Sequence, residues 1–119
     1  MGKEKKTFYL TTAISYPNGE PHIGHAYEAI ITDTIARYHR LFENKVMFLT
    51  GTDEHGIKML QTAKKSNLTA RQLADKNAPL FMKMLNEVNS SHDDFIRTTE
   101  DRHKICLLYT SDAADDCRC

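Results

Sequence analysis

Two histidines three positions apart open a segment that we predict to be a helix. His22-Ile23-Gly24-His25 follows a turn that contains proline, asparagine and glycine. At a helix start the backbone N–H groups lack intrahelical partners and the helix dipole is positive, so this end attracts a phosphate group. Imidazoles can donate further hydrogen bonds as negative charge builds on phosphoryl oxygens. Gly24 has no side chain, which leaves room for a flat base to approach the backbone.

The carboxylate of Asp53 lies in a second polar loop at residues 51–56. A fixed anion suits a positively charged group of a ligand, because a charge-assisted hydrogen bond contributes roughly 1.5–3 kcal/mol. One alternative is that Asp53 caps the N-terminus of the next helix. Another is a metal site, since imidazole and carboxylate are both zinc ligands. The candidates for that site are His22, His25, Asp53 and His55.

Two further side chains near the histidines leave their roles open. Glu28 lies one turn beyond His25, where it either faces the same pocket or is a solvated helix charge. Tyr16 either contributes to the pocket or anchors its loop as a half-buried ring.

The order of predicted elements indicates an α/β fold with a parallel sheet. Residues 7–14 are rich in β-branched and aromatic side chains and predict a strand, as do residues 46–50. The helix between them is predicted over residues 23–42 by an apolar stripe of helical period. The stripe consists of Tyr27, Ile31, Ile35, Tyr38 and Phe42.

The second half of the chain continues the alternation. A helix is expected to about residue 65, and Thr69 with Gln72 forms a capping box for another that runs to about residue 88. Pro79 should kink or split that helix. Residues 94–99 are predicted to be extended. In parallel sheets ligands bind beyond the carboxyl ends of the strands, so loops 15–25 and 51–56 should line one crevice.

Composition and charge exclude little. The 119 residues carry sixteen basic and sixteen acidic side chains, so no net charge argues for nucleic acid or a membrane surface. No apolar run is long enough to span a bilayer, and we expect a soluble intracellular protein. The three cysteines are Cys106, Cys117 and Cys119, which excludes a disulfide framework for the rest of the chain.

Four segments together resemble one enzyme family. Residues 22–25 spell the HIGH motif of class I aminoacyl-tRNA synthetases. Residues 12–19 and 48–56 resemble the corresponding segments of methionyl-tRNA synthetases, and residues 91–99 are similar to the bacterial and organellar branch. The resemblance covers residues 7–104 without a gap. It implies a Rossmann-like catalytic domain, of which this segment is the first βαβα half.

The resemblance also implies an activity and its residues. The residues implied to bind ATP are Thr11, His22, Gly24 and His25, and the two histidines are also the implied catalytic residues. The residues implied to bind methionine are Ala13, Ile14, Tyr16 and Asp53. In the implied reaction the methionine carboxylate attacks the α-phosphate of ATP, which is bound with Mg²⁺. Methionine is then transferred to tRNA(Met). No residue is assigned to a metal, zinc is not expected in this segment, and no membrane partner is implied. The expected compartment is the cytoplasm, or the mitochondrion in a eukaryote.

Residues 105–119 have no counterpart in the resemblance. Their Leu-Leu-Tyr-Thr-Ser-Asp-Ala-Ala-Asp run is similar to translated sequencing adapter, so we expect a non-native tail without stable structure. The resemblance implies a KMSKS loop and anticodon-binding helices that these 119 residues lack. We therefore expect this chain alone to be poorly folded and inactive. The alternatives are a leucine, isoleucine or valine enzyme with the same motif, and a non-catalytic ATP-binding fragment.

Overall fold

The computed structural model describes residues 6–110, which form three strands and four helices. In chain order these are β1 (Thr7–Thr11), α1 (Ile23–Leu41), β2 (Lys45–Thr52), α2 (Ile57–Lys65), α3 (Ala70–Glu87), β3 (Asp94–Arg97) and α4 (Asp101–Thr110). The predicted α/β architecture is confirmed, and the segment predicted to be extended contains the third strand. No helix in residues 6–110 combines the length and apolar character that crossing a bilayer requires.

The three strands form one parallel sheet in the order β1-β2-β3. Thr7 pairs with Lys45 at the start of β1, and Leu49 pairs with Asp94 at the start of β3. Helix α1 packs on β2 and β1, and it also contacts α3. Connections between parallel strands are right-handed, and here the strands follow one another across the sheet in chain order. The helices that connect them therefore lie on the same face of the sheet. The carboxyl ends of β1 and β2 consequently open at one edge of the sheet.

Strand β1 ends at Thr11 rather than at residue 14. The backbone N–H of Ala13 donates to the Glu28 carboxylate at 2.8 Å instead of to a neighbouring strand. Beyond it, Ser15 returns to the sheet and forms an isolated parallel bridge with Thr52. The Thr12 N–H still donates to the Leu49 carbonyl at 3.2 Å, so the chain leaves the sheet only at Ala13 and Ile14, where the residues predicted to contact methionine begin.

The apolar stripe of α1 faces away from the sheet. The buried side chains of this helix are Ala29, Thr32, Asp33 and Ala36. These small side chains allow the helix to approach the strands closely. The stripe is exposed, with relative accessibilities of 66% for Tyr27, 43% for Ile31, 43% for Ile35, 57% for Tyr38 and 63% for Phe42. Periodicity thus predicted the helix correctly, but the larger apolar face is not the buried one.

Helices α2 and α3 share a small apolar core. It consists of Met59, Ala63, Leu73 and Ala74, with Leu68 packed against it. The predicted capping box is confirmed: Gln72 N–H donates to Thr69 Oγ1 at 3.2 Å, and Thr69 N–H donates to Gln72 Oε1 at 2.9 Å. Pro79 lies inside α3 without splitting it. Its neighbours Ala78 and Phe81 are buried, so packing offsets the hydrogen bond that proline cannot make.

The boundary predicted at residue 104 falls inside helix α4, which continues to Thr110. None of its residues is buried. The predicted tail thus overlaps this helix at residues 105–110, and its remainder, with Cys117 and Cys119, lies outside the described residues.

The orientation of α1 can be tested with one charge on each face. Ile31→Glu should change the free energy of unfolding by no more than about 0.5 kcal/mol, because the side chain is half-exposed. Ala36→Glu should destabilise the chain by more than about 4 kcal/mol, because Ala36 is fully buried and a carboxylate there has no partner. Urea titration followed by circular dichroism measures both. Equal losses, or a larger loss from Ile31→Glu, would show that the stripe faces the core.

Candidate active site

A cavity of ≈ 330 Å³, called here the histidine cavity, opens where α1 begins. Its lining includes Ile14, Tyr16, His22, His25, Lys58 and Phe81. The volume is in the range of small-ligand sites. The turn after β1, the start of α1, the first turn of α2 and the middle of α3 each contribute to its walls. The cavity brings the histidine pair together with two of the side chains predicted to contact methionine, whereas no residue of loop 51–56 lines it.

A smaller inner cavity of ≈ 20 Å³ lies behind the first. Ser15, His25 and Phe81 line both spaces. Ala13 and Glu28 line only the inner one, which has room for about one water molecule. Glu28 is half-buried, and its carboxylate binds the Ala13 backbone, so the interpretation of this residue as a solvated helix charge is wrong.

His22 and His25 cap the N-terminus of α1 reciprocally. His22 is the N-cap residue, with φ −125° and ψ 176°, and its Nδ1 accepts the Gly24 N–H at 3.0 Å. His25 Nδ1 accepts the His22 N–H at 3.1 Å. The two rings stack at a tilt of 38°, with centroids 3.9 Å apart. Two backbone donors at the helix start are thereby satisfied by imidazole nitrogens in place of the usual hydroxyl and carboxylate.

This capping geometry determines where the ring protons lie. An Nδ1 atom that accepts a hydrogen bond carries no proton, so each neutral ring keeps its proton on Nε2. Burial, followed by the nearby His22 ring, lowers the pKa of His25 below its usual 6.5, although Glu28 opposes the change. Both histidines therefore have an Nε2–H donor that the capping interaction leaves available. In residues 6–110 no group of three or more histidine, cysteine, aspartate or glutamate side chains is arranged to hold a metal ion.

Gly24 is required by the position of the His22 ring. A Cβ at this position would lie 2.8 Å from His22 Cε1 and 3.0 Å from His22 Nδ1. Any side chain at residue 24 would therefore push the capping ring away from the backbone it binds. This steric requirement adds to the access for a flat base that the sequence predicts.

The Asp53 loop reaches the cavities through its backbone. The Asp53 N–H donates to the Ser15 carbonyl at 2.9 Å, and Ser15 lines both cavities. The Asp53 carboxylate accepts the His55 N–H at 3.1 Å through Oδ1. The N-cap residue of α2 is instead Gly56, which makes no side-chain cap hydrogen bond. The alternative that Asp53 caps α2 is therefore wrong.

The predicted residues divide into three groups by position. Ile14 and Tyr16 line the histidine cavity beside the histidines, and Ala13 lines the inner cavity. Thr11, Gly24 and Asp53 do not line either cavity. Tyr16 also packs near Gly56, where an added Cβ would lie 3.4 Å from the Tyr16 ring. Tyr16 thus lines the pocket with 41% of its surface exposed, and its role as a half-buried loop anchor stays a prediction.

Lys58 is a cavity residue that the sequence did not predict. This residue follows the second polar loop in the first turn of α2, and it lines the histidine cavity with both histidines. Its signal was its position: ligands of parallel sheets bind beyond the strand ends, where the first turn of the following helix also lies. A lysine there adds a positive charge to a pocket that already has two imidazoles and a helix N-terminus.

The protonation of His25 gives a pH test. Because its folded pKa lies below 6.5, its capping contribution to stability is complete above pH 6.5. That contribution is lost as the pH falls from 6.5 through the folded pKa, because a protonated Nδ1 cannot accept the His22 N–H. NMR titration of the His25 ring should give a lower pKa in the folded chain than in urea. Glu28→Gln should lower it further, since Glu28 raises it; a folded pKa equal to the unfolded one would contradict this geometry.

Known proteins match this chain over most of its length. Residues 8–109 match the family of tRNA synthetases class I (M). The chain is 61% identical over 103 residues to a methionine–tRNA ligase of Brucella suis, which covers 87% of the chain and 20% of that ligase. It is 49% identical over 107 residues to the methionine–tRNA ligase of Bacillus subtilis, which covers 90% of the chain and 16% of that ligase. The chain thus spans about a fifth of the length of these relatives.

The fold matches a solved structure of the same kind of enzyme. Mycobacterium tuberculosis methionyl-tRNA synthetase bound by methionyl-adenylate superposes with a TM-score of 0.80 at 52% identity. The match covers 82% of this chain and 19% of that one. With the family match across residues 8–109, these findings show that the chain belongs to the class I tRNA synthetases of the methionyl type.

Proposed function

We propose that this chain is the part of a methionine–tRNA ligase that binds ATP and methionine for adenylate formation. The observation that carries the proposal is the histidine cavity, where the capped start of α1 faces the side chains of Ile14 and Tyr16. A phosphate site and an apolar wall thus lie in one space. The complex of the Mycobacterium tuberculosis relative with methionyl-adenylate supports the same pair of substrates.

The phosphate end of the reaction depends on donors that are already in position. His22 and His25 offer Nε2–H groups, and the helix dipole of α1 adds positive potential at the same place. When the methionine carboxylate attacks the α-phosphate of ATP, negative charge builds on the phosphoryl oxygens and the bond to pyrophosphate breaks. Fixed donors stabilise that charge without reorganising, so no side chain has to act as a nucleophile. ATP enters as its Mg²⁺ complex, with Thr11 and Gly24 on the nucleotide side.

The methionine end combines an apolar wall with a fixed anion. Ile14 and Tyr16 offer surface to the unbranched thioether, and Ala13 lines the space behind them. Asp53 would hold the α-ammonium group, since its loop is bonded to the Ser15 backbone beside the cavity. The carboxylate of methionine would then point toward the phosphates, as in-line attack requires.

The second half-reaction needs more protein than this chain contains. Transfer of methionine to the 3′ end of tRNA(Met) is assigned to the complete ligase, because the chain spans 20% of the Brucella suis relative. The KMSKS loop and the anticodon-binding helices are likewise proposed for the remaining length. The cytoplasm, or the mitochondrion in a eukaryote, is the proposed site of action, with no membrane partner.

A chimera tests the proposal. The segment of the Brucella suis ligase that matches this chain is replaced by the matching residues of this chain, and ATP–pyrophosphate exchange is measured with methionine, leucine, isoleucine and valine. Exchange with methionine alone is expected. Preference for leucine, isoleucine or valine would overturn the substrate assignment. Absence of exchange from a folded chimera would favour the non-catalytic fragment. The isolated 119 residues should show no exchange.

Lys58 should affect ATP more than methionine. In the chimera, Lys58→Gln removes one positive charge from the histidine cavity and should raise the KM for ATP by about 3- to 10-fold, since an exposed charge contributes modestly. The KM for methionine should stay within about twofold. Lys64→Gln, on an exposed position at the end of α2, is the matched control. An equal effect of the two substitutions on ATP would remove Lys58 from the phosphate site.

A further inference from the structure

We propose that Glu54, Arg97 and Thr98 are positioning residues that orient the Asp53 carboxylate toward the ammonium group of methionine. This inference rests on the proposed function and extends it to three side chains outside both cavities. They belong to a polar network that joins the end of β2 to the end of β3.

Glu54 is a charged side chain buried at the centre of this network. Its side chain has no exposed surface, whereas that of Arg97 is 20% exposed. Arg97 Nε lies 2.9 Å from Glu54 Oε1 and 2.7 Å from Oε2, so one donor is shared by both oxygens. Arg97 Nη2 donates to Asp75 of α3 at 2.5 Å. The guanidinium thus ties the Asp53 loop to β3 and to α3 at once.

Two hydroxyl groups complete the bonding of Glu54. Thr99 Oγ1 donates to Oε1 at 2.8 Å, and Thr52 Oγ1 donates to Oε2 at 3.3 Å. The hydrogen bond from Arg97 to Glu54 raises the pKa of the arginine above its usual value despite burial. The carboxylate therefore has a donor on each oxygen, and its position in the loop is over-determined.

Thr98 links this network to Asp53. Thr98 Oγ1 accepts the Glu54 N–H at 2.8 Å, so the hydroxyl proton of Thr98 must point away from that N–H. The nearest acceptor described for that proton is Asp53 Oδ1, at 3.5 Å. The same oxygen also accepts the His55 N–H. Within residues 6–110 both hydrogen bonds to the Asp53 carboxylate go to Oδ1, so Oδ2 remains for a ligand.

The energetics favour a positioning role over a purely stabilising one. Burying an ion pair costs desolvation that its attraction only partly returns, and well-packed apolar side chains often stabilise a fold equally well. An ion pair with several directional hydrogen bonds fixes the orientation of its side chains more strictly than apolar packing does. The loop that carries Asp53 is where such orientation matters, because a charge-assisted hydrogen bond to an ammonium depends on direction.

The experiment separates orientation of the carboxylate from general damage to the fold. In the chimera described above, two competitive inhibitors of exchange are compared: methioninol, which keeps the ammonium, and 4-(methylthio)butan-1-ol, which lacks it. The readout is the ratio of their inhibition constants. Thr98→Val should reduce the preference for methioninol by about 10-fold, the lower end of the effect of a charge-assisted hydrogen bond. The KM for ATP should not change, and Thr98→Ser should restore the preference.

Arg97→Lys provides a second variant if Thr98→Val fails to fold, because lysine keeps the charge but cannot bind Glu54 and Asp75 together. Arg102→Lys is the matched control, since Arg102 bonds Asp94 and Glu100 away from Asp53. An unchanged inhibitor preference in a folded Thr98 or Arg97 variant would overturn the positioning role. A parent chimera that exchanges pyrophosphate but binds both inhibitors equally would overturn the role of Asp53, and this inference with it. A folded chimera without exchange would overturn the proposed function itself.

Discussion

The parallel bridge between Ser15 and Thr52 is the contact on which the site depends. It joins the turn after β1 to the end of β2, and the adjacent hydrogen bond from Asp53 to Ser15 continues the same pairing. Because the two strands are parallel, their carboxyl ends lie together and the loops that follow them meet. Without this pairing, the turn that leads to the histidines would not be held against the loop that carries the aspartate. The cavities, the bulge after Thr12 and the buried Glu54 network all lie around it.

Structure and chemistry coincide at the start of α1. The imidazoles of His22 and His25 stabilise the helix through Nδ1, and the same bonds leave Nε2–H groups for a ligand. Gly24 is needed for this arrangement, since a Cβ would meet the His22 ring. A motif that reads as catalytic in the sequence is therefore also the cap that begins the helix. The folding role and the proposed binding role use opposite sides of the same rings.

Most of the fold could be predicted because local patterns agreed with it. The capping box at Thr69, the helix over α1 and the parallel strand order follow from short-range chemistry. The burial of α1 could not be predicted this way. Its large apolar side chains recur at the right period, yet the sheet accepts the face with Ala29 and Ala36, because close packing on strands favours small residues. The helical period identifies an apolar stripe on α1, but the shape of the sheet decides which face of the helix is buried.

The amino-acid sequence by itself determined the elements, the parallel order and the identity of the residues at both strand ends. Only the tertiary structure decided which of these side chains share a cavity, that Lys58 joins them, and that Arg97 reaches Glu54 and Asp75 together. The reason is physical: secondary structure and capping depend on neighbours a few positions away, whereas cavities and buried networks depend on contacts between residues far apart in the chain. Those contacts exist only after the strands have paired.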